Sequence, residues 1–289
     1  MQILECCKAI LYGILEGITE WLPISSTGHL ILLAERLPFR FCTDAVLLEE
    51  FWELFEVVIQ LGAILAVVVL FWQRLSPARR GRTDWEVGRV RRLWSRVLLA
   101  SVPAAVAGIL LDRALLAVTG KDIDGWLYCA PVVAFSLIFY GAIFLLMGKK
   151  RRTCVDFAES VSKRQAIGIG AFQMLALVPG TSRSGATMLG AELFGVSRKA
   201  GAEFSFFMAI PVMLGASAVK SAGFLAYVME EGTHIPSDAW LLLLVGCATA
   251  FLTSLVVIRF LLDFVKRYSF APFGVYRIAL GLLVFCLRW

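Results

Sequence analysis

Two short polar segments carry the residue types that do chemistry. Glu16 and Glu20 stand four residues apart, a spacing that stacks two carboxylates on one helix face, where they can hold a divalent cation or share a proton. Ser25, Ser26 and Thr27 then run into His29. A histidine beside hydroxyls can serve as general base for a serine or a water, or itself accept a phosphoryl group. Far along the chain, Ser182, Arg183 and Ser184 follow Pro179-Gly180, with Thr187 one turn on. Arginine grips phosphate bidentately, hydroxyls and backbone N–H groups add donors, and glycine lets backbone approach a ligand closely. Each set also has a plainer reading: carboxylates tied to a neighbouring helix, hydroxyls that only cap a helix, and a structural arginine paired with Glu16 or Glu20.

The setting favours the chemical reading, because both segments lie in oily sequence where ionisable groups are expensive and mark functional sites. Hydrophobic residues make up 59% of the 289-residue chain and charged residues 17%, with a mean hydropathy of +0.79. That excludes an ordinary soluble domain. Apolar runs of bilayer-spanning length lie at 51–72, 94–118, 126–147, 204–229, 240–262 and 273–287, which predicts about six transmembrane helices. Trp52, Trp72, Trp94, Trp126 and Trp240 stand near the ends of these runs, as interfacial anchors do. Lys220, Arg259 and Asp263 lie near span ends and are expected to snorkel. The N-terminal apolar stretch contains Glu5, Lys8, Glu16 and Glu20 and is expected to stay in the mature protein. The seven cysteines are scattered and odd in number, which suits small packing residues better than a metal site.

Charge sets the expected topology. Arg74, Arg79, Arg80, Arg82, Arg89, Arg91, Arg92 and Arg96 follow the first span, and Lys149, Lys150, Arg151, Arg152, Lys163 and Arg164 come two spans later. These connections are expected in the cytoplasm, as are Arg198-Lys199 and Lys266-Arg267, with the acid-leaning segments 121–124 and 230–238 outside. The net charge of +6 then reflects topology and anionic lipid headgroups, and no nucleic-acid partner is expected.

Counting sides leaves both motif segments as re-entrant hairpins, each broken by Pro23-Ile24-Ser25-Ser26 or Pro179-Gly180-Thr181-Ser182. Proline stops one half-helix and a hydroxyl residue caps the next; such breaks at membrane depth are tolerated where they line a cavity or are buried in protein. Leu15-Glu16 before Ser25-Ser26-Thr27-Gly28 is echoed at constant offset by Phe172-Gln173 before Ser182-Arg183-Ser184-Gly185; in the following span Leu61-Gly62-Ala63 is echoed, at a slightly different offset, by Leu214-Gly215-Ala216. The expected fold is therefore one all-α polytopic membrane domain, 1–289. It holds a first repeat over about 1–118 with a hairpin at 3–34, and a second over about 160–262 with a hairpin at 165–195, in inverted topology. Two half-helix N-termini aimed at one spot make an anion site. Tyr276 and Arg277 are weaker candidates for the same cavity. Gly141, Gly168, Gly170 and Gly215 permit close packing within a chain or in a homodimer.

The run Glu16-Gly17-Ile18-Thr19-Glu20-Trp21-Leu22-Pro23-Ile24-Ser25-Ser26-Thr27-Gly28-His29 and the run Pro179-Gly180-Thr181-Ser182-Arg183-Ser184-Gly185 resemble the two signatures of the bacterial undecaprenyl pyrophosphate phosphatase family, the bacitracin-resistance type. Phe55-Glu56-Val57-Val58-Ile59-Gln60-Leu61-Gly62-Ala63 and Glu203-Phe204-Ser205-Phe206 resemble its flanking helices, and the likeness covers essentially the whole chain. The resemblance implies hydrolysis of undecaprenyl diphosphate to the monophosphate and inorganic phosphate, aided by a divalent cation such as Mg2+ or Ca2+. It implies a pocket open to the extracytoplasmic side of the bacterial inner membrane, surrounded by membrane lipids. Glu16 and Glu20 become metal or acid–base carboxylates, Ser26 or His29 the candidate nucleophile, and Arg183 the diphosphate clamp. Ser25, Thr27, Ser182, Ser184 and Thr187 become further phosphate contacts. Water activated by Glu20 is a third candidate for the attacking group. The rival class is a transporter or flippase of a phosphate-headed polyprenyl lipid, since inverted repeats with broken helices also build secondary transporters.

Overall fold

The computed structural model describes residues 2–77, 81, 83–120, 123–127, 129–147, 153–232 and 234–286. Of the residues read for topology, Arg79, Arg80, Arg82, Lys121, Lys149, Lys150, Arg151 and Arg152 lie outside the described residues. The elements are α1 (Gln2–Thr19), α2 (Ser26–Arg36), α3 (Ala45–Leu75), α4 (Asp84–Thr119), α5 (Ile123–Leu127), α6 (Ala130–Leu146), α7 (Lys163–Gln173), α8 (Arg183–Leu193), α9 (Arg198–Glu231), α10 (Ser237–Arg267) and α11 (Ala271–Cys286). Short 3-10 turns occupy Ala158–Ser160 and Met174–Leu177. No strand occurs among the described residues, and the protein is an all-α polytopic membrane protein.

Among the described residues four helices, α3, α4, α9 and α10, are long and apolar enough to cross a membrane. The other two expected spans form the shorter apolar helices α6 and α11, of 17 and 16 residues, which pack against each other. The spans are apolar on their outer faces too: Phe135, Val219, Leu244, Val256 and Phe285 are all exposed, as on helices solvated by lipid. Trp72, Trp126 and Trp240 are exposed, whereas Trp52 packs against Tyr12 at 4.9 Å and the Trp94 indole donates to the Leu75 carbonyl at 2.8 Å.

Hairpin α1–α2 and hairpin α7–α8 are separated by the apolar helices α3, α4 and α6. Helices α2 and α8, at 11 residues each, reach only about 16 Å, half a bilayer. The packing is reciprocal. Helix α1 lies against α10 and α7 against α4, α10 lies on α3 and α4 on α9, and α3 meets α9 across the centre. Glycines make the reciprocal approaches possible: a side chain at Gly13 would strike the backbone at Gly246 of α10, and one at Gly170 the backbone at Ala100 of α4. Gly141 and Gly168 likewise close on Gly274 and Phe194, while Gly215 faces open space.

Polar contacts tie off the open end of each hairpin. The Lys8 ammonium donates to Glu5 at 2.8 Å and to the Pro38 carbonyl at 2.6 Å, Glu5 accepts from the Arg40 backbone N–H, and the Tyr12 hydroxyl donates to the Leu37 carbonyl. On the second hairpin, Gln165 donates to the Phe194 carbonyl and Arg198 pairs with Glu192 at 2.9 Å.

Candidate functional site at the two hairpin turns

The turns at the closed ends of the hairpins repeat one another in backbone detail. Ser25 and Ser182 are the only non-glycine residues of positive φ among those described, at 74° and 72°. Each caps the helix that follows: the Ser25 hydroxyl accepts from the Gly28 N–H at 3.2 Å and the Ser182 hydroxyl from the Gly185 N–H at 3.1 Å. Their ψ values of 96° and 114° lie beyond the ordinary left-handed well, a strain of about 1–3 kcal/mol each that surrounding structure must hold and that clusters at functional sites. The leading N–H groups of both helices lack intrahelical partners.

Side chains from the two turns meet. The Ser26 hydroxyl donates to Glu20 Oε2 at 2.6 Å, and Arg183 Nη2 donates to Glu20 Oε1 at 2.9 Å. Arg183 Nη1 donates to the Ser205 carbonyl of α9 at 2.9 Å, while its Nε is buried without a partner. The Ser184 hydroxyl donates across to the Leu22 carbonyl of the first turn at 3.2 Å. Thr187 is fully buried, donating to the Arg183 carbonyl at 2.9 Å and sharing a 2.6 Å hydrogen bond with the Ser205 hydroxyl. It thus buttresses the turn that carries Arg183. Thr27 is half-buried beside Ser26.

His29 stands apart from this cluster. Its Nδ1 lies 2.7 Å from the Ser25 carbonyl, so that nitrogen carries the proton. Its Nε2 lies 2.7 Å from the Tyr276 hydroxyl, and the two rings stack at 5.7 Å. Glu16 is fully buried and neither carboxylate oxygen has a protein partner; its charged neighbours are Glu20, Glu56 and Arg183. An ion there without a partner costs several kcal/mol, so the group calls for a cation or a proton.

That orphaned carboxylate suits a divalent cation. No group of three or more His, Cys, Asp or Glu able to hold a metal occurs among the described residues. Mg2+, however, is usually held by one or two carboxylates with substrate phosphates and water completing the shell, and Glu16 with Glu20 supplies that much.

Ser205 and Glu56 were legible only as parts of motifs in flanking helices; a serine and a carboxylate inside apolar spans are the signal that marks them. Tyr276 and Arg277 take central positions, one against His29 and the other against the backbone of both turns.

With both signatures at a single junction, the comparison with known proteins is direct. The family described as "Bacitracin resistance protein BacA" matches over residues 9–283. This chain belongs to that family. Among curated relatives, it is 44% identical to Undecaprenyl-diphosphatase 1 of Clostridioides difficile (strain 630), covering 98% of this chain and 96% of that one. It is 44% identical to the Undecaprenyl-diphosphatase of Enterococcus faecalis, with 98% and 97% covered. It is 46% identical to that of Streptococcus mutans serotype c (strain ATCC 700610 / UA159), with 98% and 96% covered. Such near-complete coverage aligns this BacA-family chain with its relatives through every element above.

Proposed function

We propose that this chain hydrolyses undecaprenyl diphosphate to undecaprenyl phosphate and inorganic phosphate, and so recycles the lipid carrier of cell-wall synthesis and confers resistance to bacitracin. The observation that carries the reading is Glu20, hydrogen-bonded to the Ser26 hydroxyl and the Arg183 guanidinium from opposite hairpins. The relatives' names supply the substrate.

In this reading the diphosphate takes over Arg183 from Glu20 as a bidentate ligand, using the unpartnered Nε. The freed carboxylate accepts the Ser26 proton as Ser26 Oγ attacks the terminal phosphorus. The bond from that phosphorus to the bridging oxygen breaks, and undecaprenyl phosphate leaves with the proton from Glu20. Water then attacks the phosphoserine, one of its protons passes through Glu20 to the departing Ser26 oxygen, and inorganic phosphate is released. The N-termini of α2 and α8 face the charge that develops on the phosphoryl oxygens. A divalent cation, Mg2+ or Ca2+, held by Glu16 and Glu20, would neutralise part of the diphosphate charge. The prenyl tail would lie among the apolar spans, with the reacting end open to the extracytoplasmic side of the bacterial inner membrane.

The test is phosphate release from undecaprenyl diphosphate by purified protein in detergent, with and without chelator, for wild type, Arg183→Ala and Glu20→Ala. Chelator-sensitive release that both variants lose supports the reading. Folded wild-type protein that releases nothing with any divalent cation sinks it, and directs attention to transport of the same lipid.

A further inference from the structure

Arg277 lies on α11, outside both hairpins, and is fully buried. Its Nη1 donates to the Pro23 carbonyl at 3.1 Å and its Nη2 to the Gly180 carbonyl at 2.7 Å. Pro23 and Gly180 are equivalent positions of the two turns, each two residues before the strained cap, Ser25 or Ser182. The guanidinium also sits 3.5 Å from the Ser136 carbonyl and over the rings of Tyr140 and Phe144, at 5.8 and 5.5 Å. A cation buried among carbonyls and aromatic faces is costly where apolar packing would serve, and only a guanidinium presents donors in a rigid fork that can span two carbonyls at once.

We propose that Arg277 is a positioning residue for the phosphatase reaction, fixing the two hairpin turns in register; the inference rests on the proposed function. Glu20 and Ser26 flank Pro23 three residues to either side, and Arg183 follows Gly180 by three. The separation of the two carbonyls therefore sets the separation of the Glu20–Ser26 pair from the Arg183 clamp. Misplacement of such groups by about 1 Å costs on the order of 100-fold in rate. Arg277 touches no reacting atom, so its loss lowers turnover while Arg183, still in place on α8, goes on binding the diphosphate.

The experiment measures kcat, KM and thermal unfolding for full-length wild type, Arg277→Lys and Arg277→Gln in detergent with undecaprenyl diphosphate. The expected result is folded variants with kcat reduced about 100-fold and KM within about threefold of wild type, Lys failing to substitute because one ammonium cannot hold both carbonyls. Wild-type kcat in either variant overturns the proposal. So does a rise in KM at unchanged kcat, or failure of both variants to fold, which would make the residue a purely structural one. Absence of phosphate release from wild type falls instead on the phosphatase reading itself, and this proposal falls with it.

Discussion

In the first hairpin the chain passes Glu16, Glu20, Ser26 and His29; at the equivalent positions of the second it passes Gln173, Leu177, Arg183 and Ala186. The caps share one backbone form, a serine at φ near 73° capping the third residue of the next helix, although the second copy tightens into the 3-10 turn Met174–Leu177 where the first runs on as α-helix to Thr19. The carboxylates, the Ser26 hydroxyl and the imidazole stand on one copy, and the guanidinium on the other. The two turns meet, so identical turns would oppose like charges, which at close range cost energy. Dividing the chemistry turns that repulsion into the 2.9 Å Arg183–Glu20 pair. Even the buried Glu16 has a neutral counterpart, Gln173, whose amide also lacks partners.

The largest expected effects are at the Arg183–Glu20 pair. Glu20→Ala removes the proposed base and the partner of Arg183, and phosphate release is expected to fall by about 10³- to 10⁴-fold. Arg183→Lys keeps the charge without the fork, and about 100-fold loss with raised KM is expected in the same assay. Exchanging the charges of the equivalent pair sharpens the point. Glu16→Gln should leave the unfolding midpoint unchanged or higher while abolishing the effect of chelator, whereas Gln173→Glu adds an uncompensated buried charge and should destabilise by about 3 kcal/mol or more.

Acid should act on the pair that joins Glu159 to Arg74 of α3. Burial tends to raise the Glu159 carboxyl, but hydrogen bonding and attraction from Arg74 outweigh it and hold the group below the ordinary carboxylate value. A depressed folded value means the contribution is complete above the unfolded value of 4.5 and is lost as pH falls through the folded one. Glu159→Gln should therefore cost about 1 kcal/mol at pH 7, after allowance for screening, and flatten the decline in unfolding midpoint below pH 4.5. The smallest expected effects are at the shared backbone. Ser25→Gly and Ser182→Gly exchange a cap for freedom at positive φ and should change stability by a few tenths of a kcal/mol, while either alanine variant loses about 1 kcal/mol.

Much of this was legible in the chain. Apolar run lengths gave the spans, and the echo of Ser25-Ser26-Thr27-Gly28 in Ser182-Arg183-Ser184-Gly185 gave the paired turns, because capping chemistry is local. The two consecutive α11 residues were harder to weigh. Tyr276 meets His29 and Arg277 meets Pro23 across 247 and 254 residues of sequence, and no periodicity encodes such pairing. Thr187 is a third case. Its place, one turn into α8 and facing Ser205 of α9, follows from how those helices pack.

By itself the sequence determined which groups are polar in an apolar setting, which share a helix face, and where the backbone must turn, since each depends on residues within a few positions of one another. Tertiary structure alone decided the partners. Arg183 reaches Glu20 while Glu16 keeps both oxygens unpartnered, and Ser26 donates its hydrogen bond to Glu20 while His29 turns to Tyr276. Helical spacing makes these choices equivalent; the meeting of the two turns, through the Arg183–Glu20 pair and the Ser184 hydrogen bond to the Leu22 carbonyl, removes the equivalence.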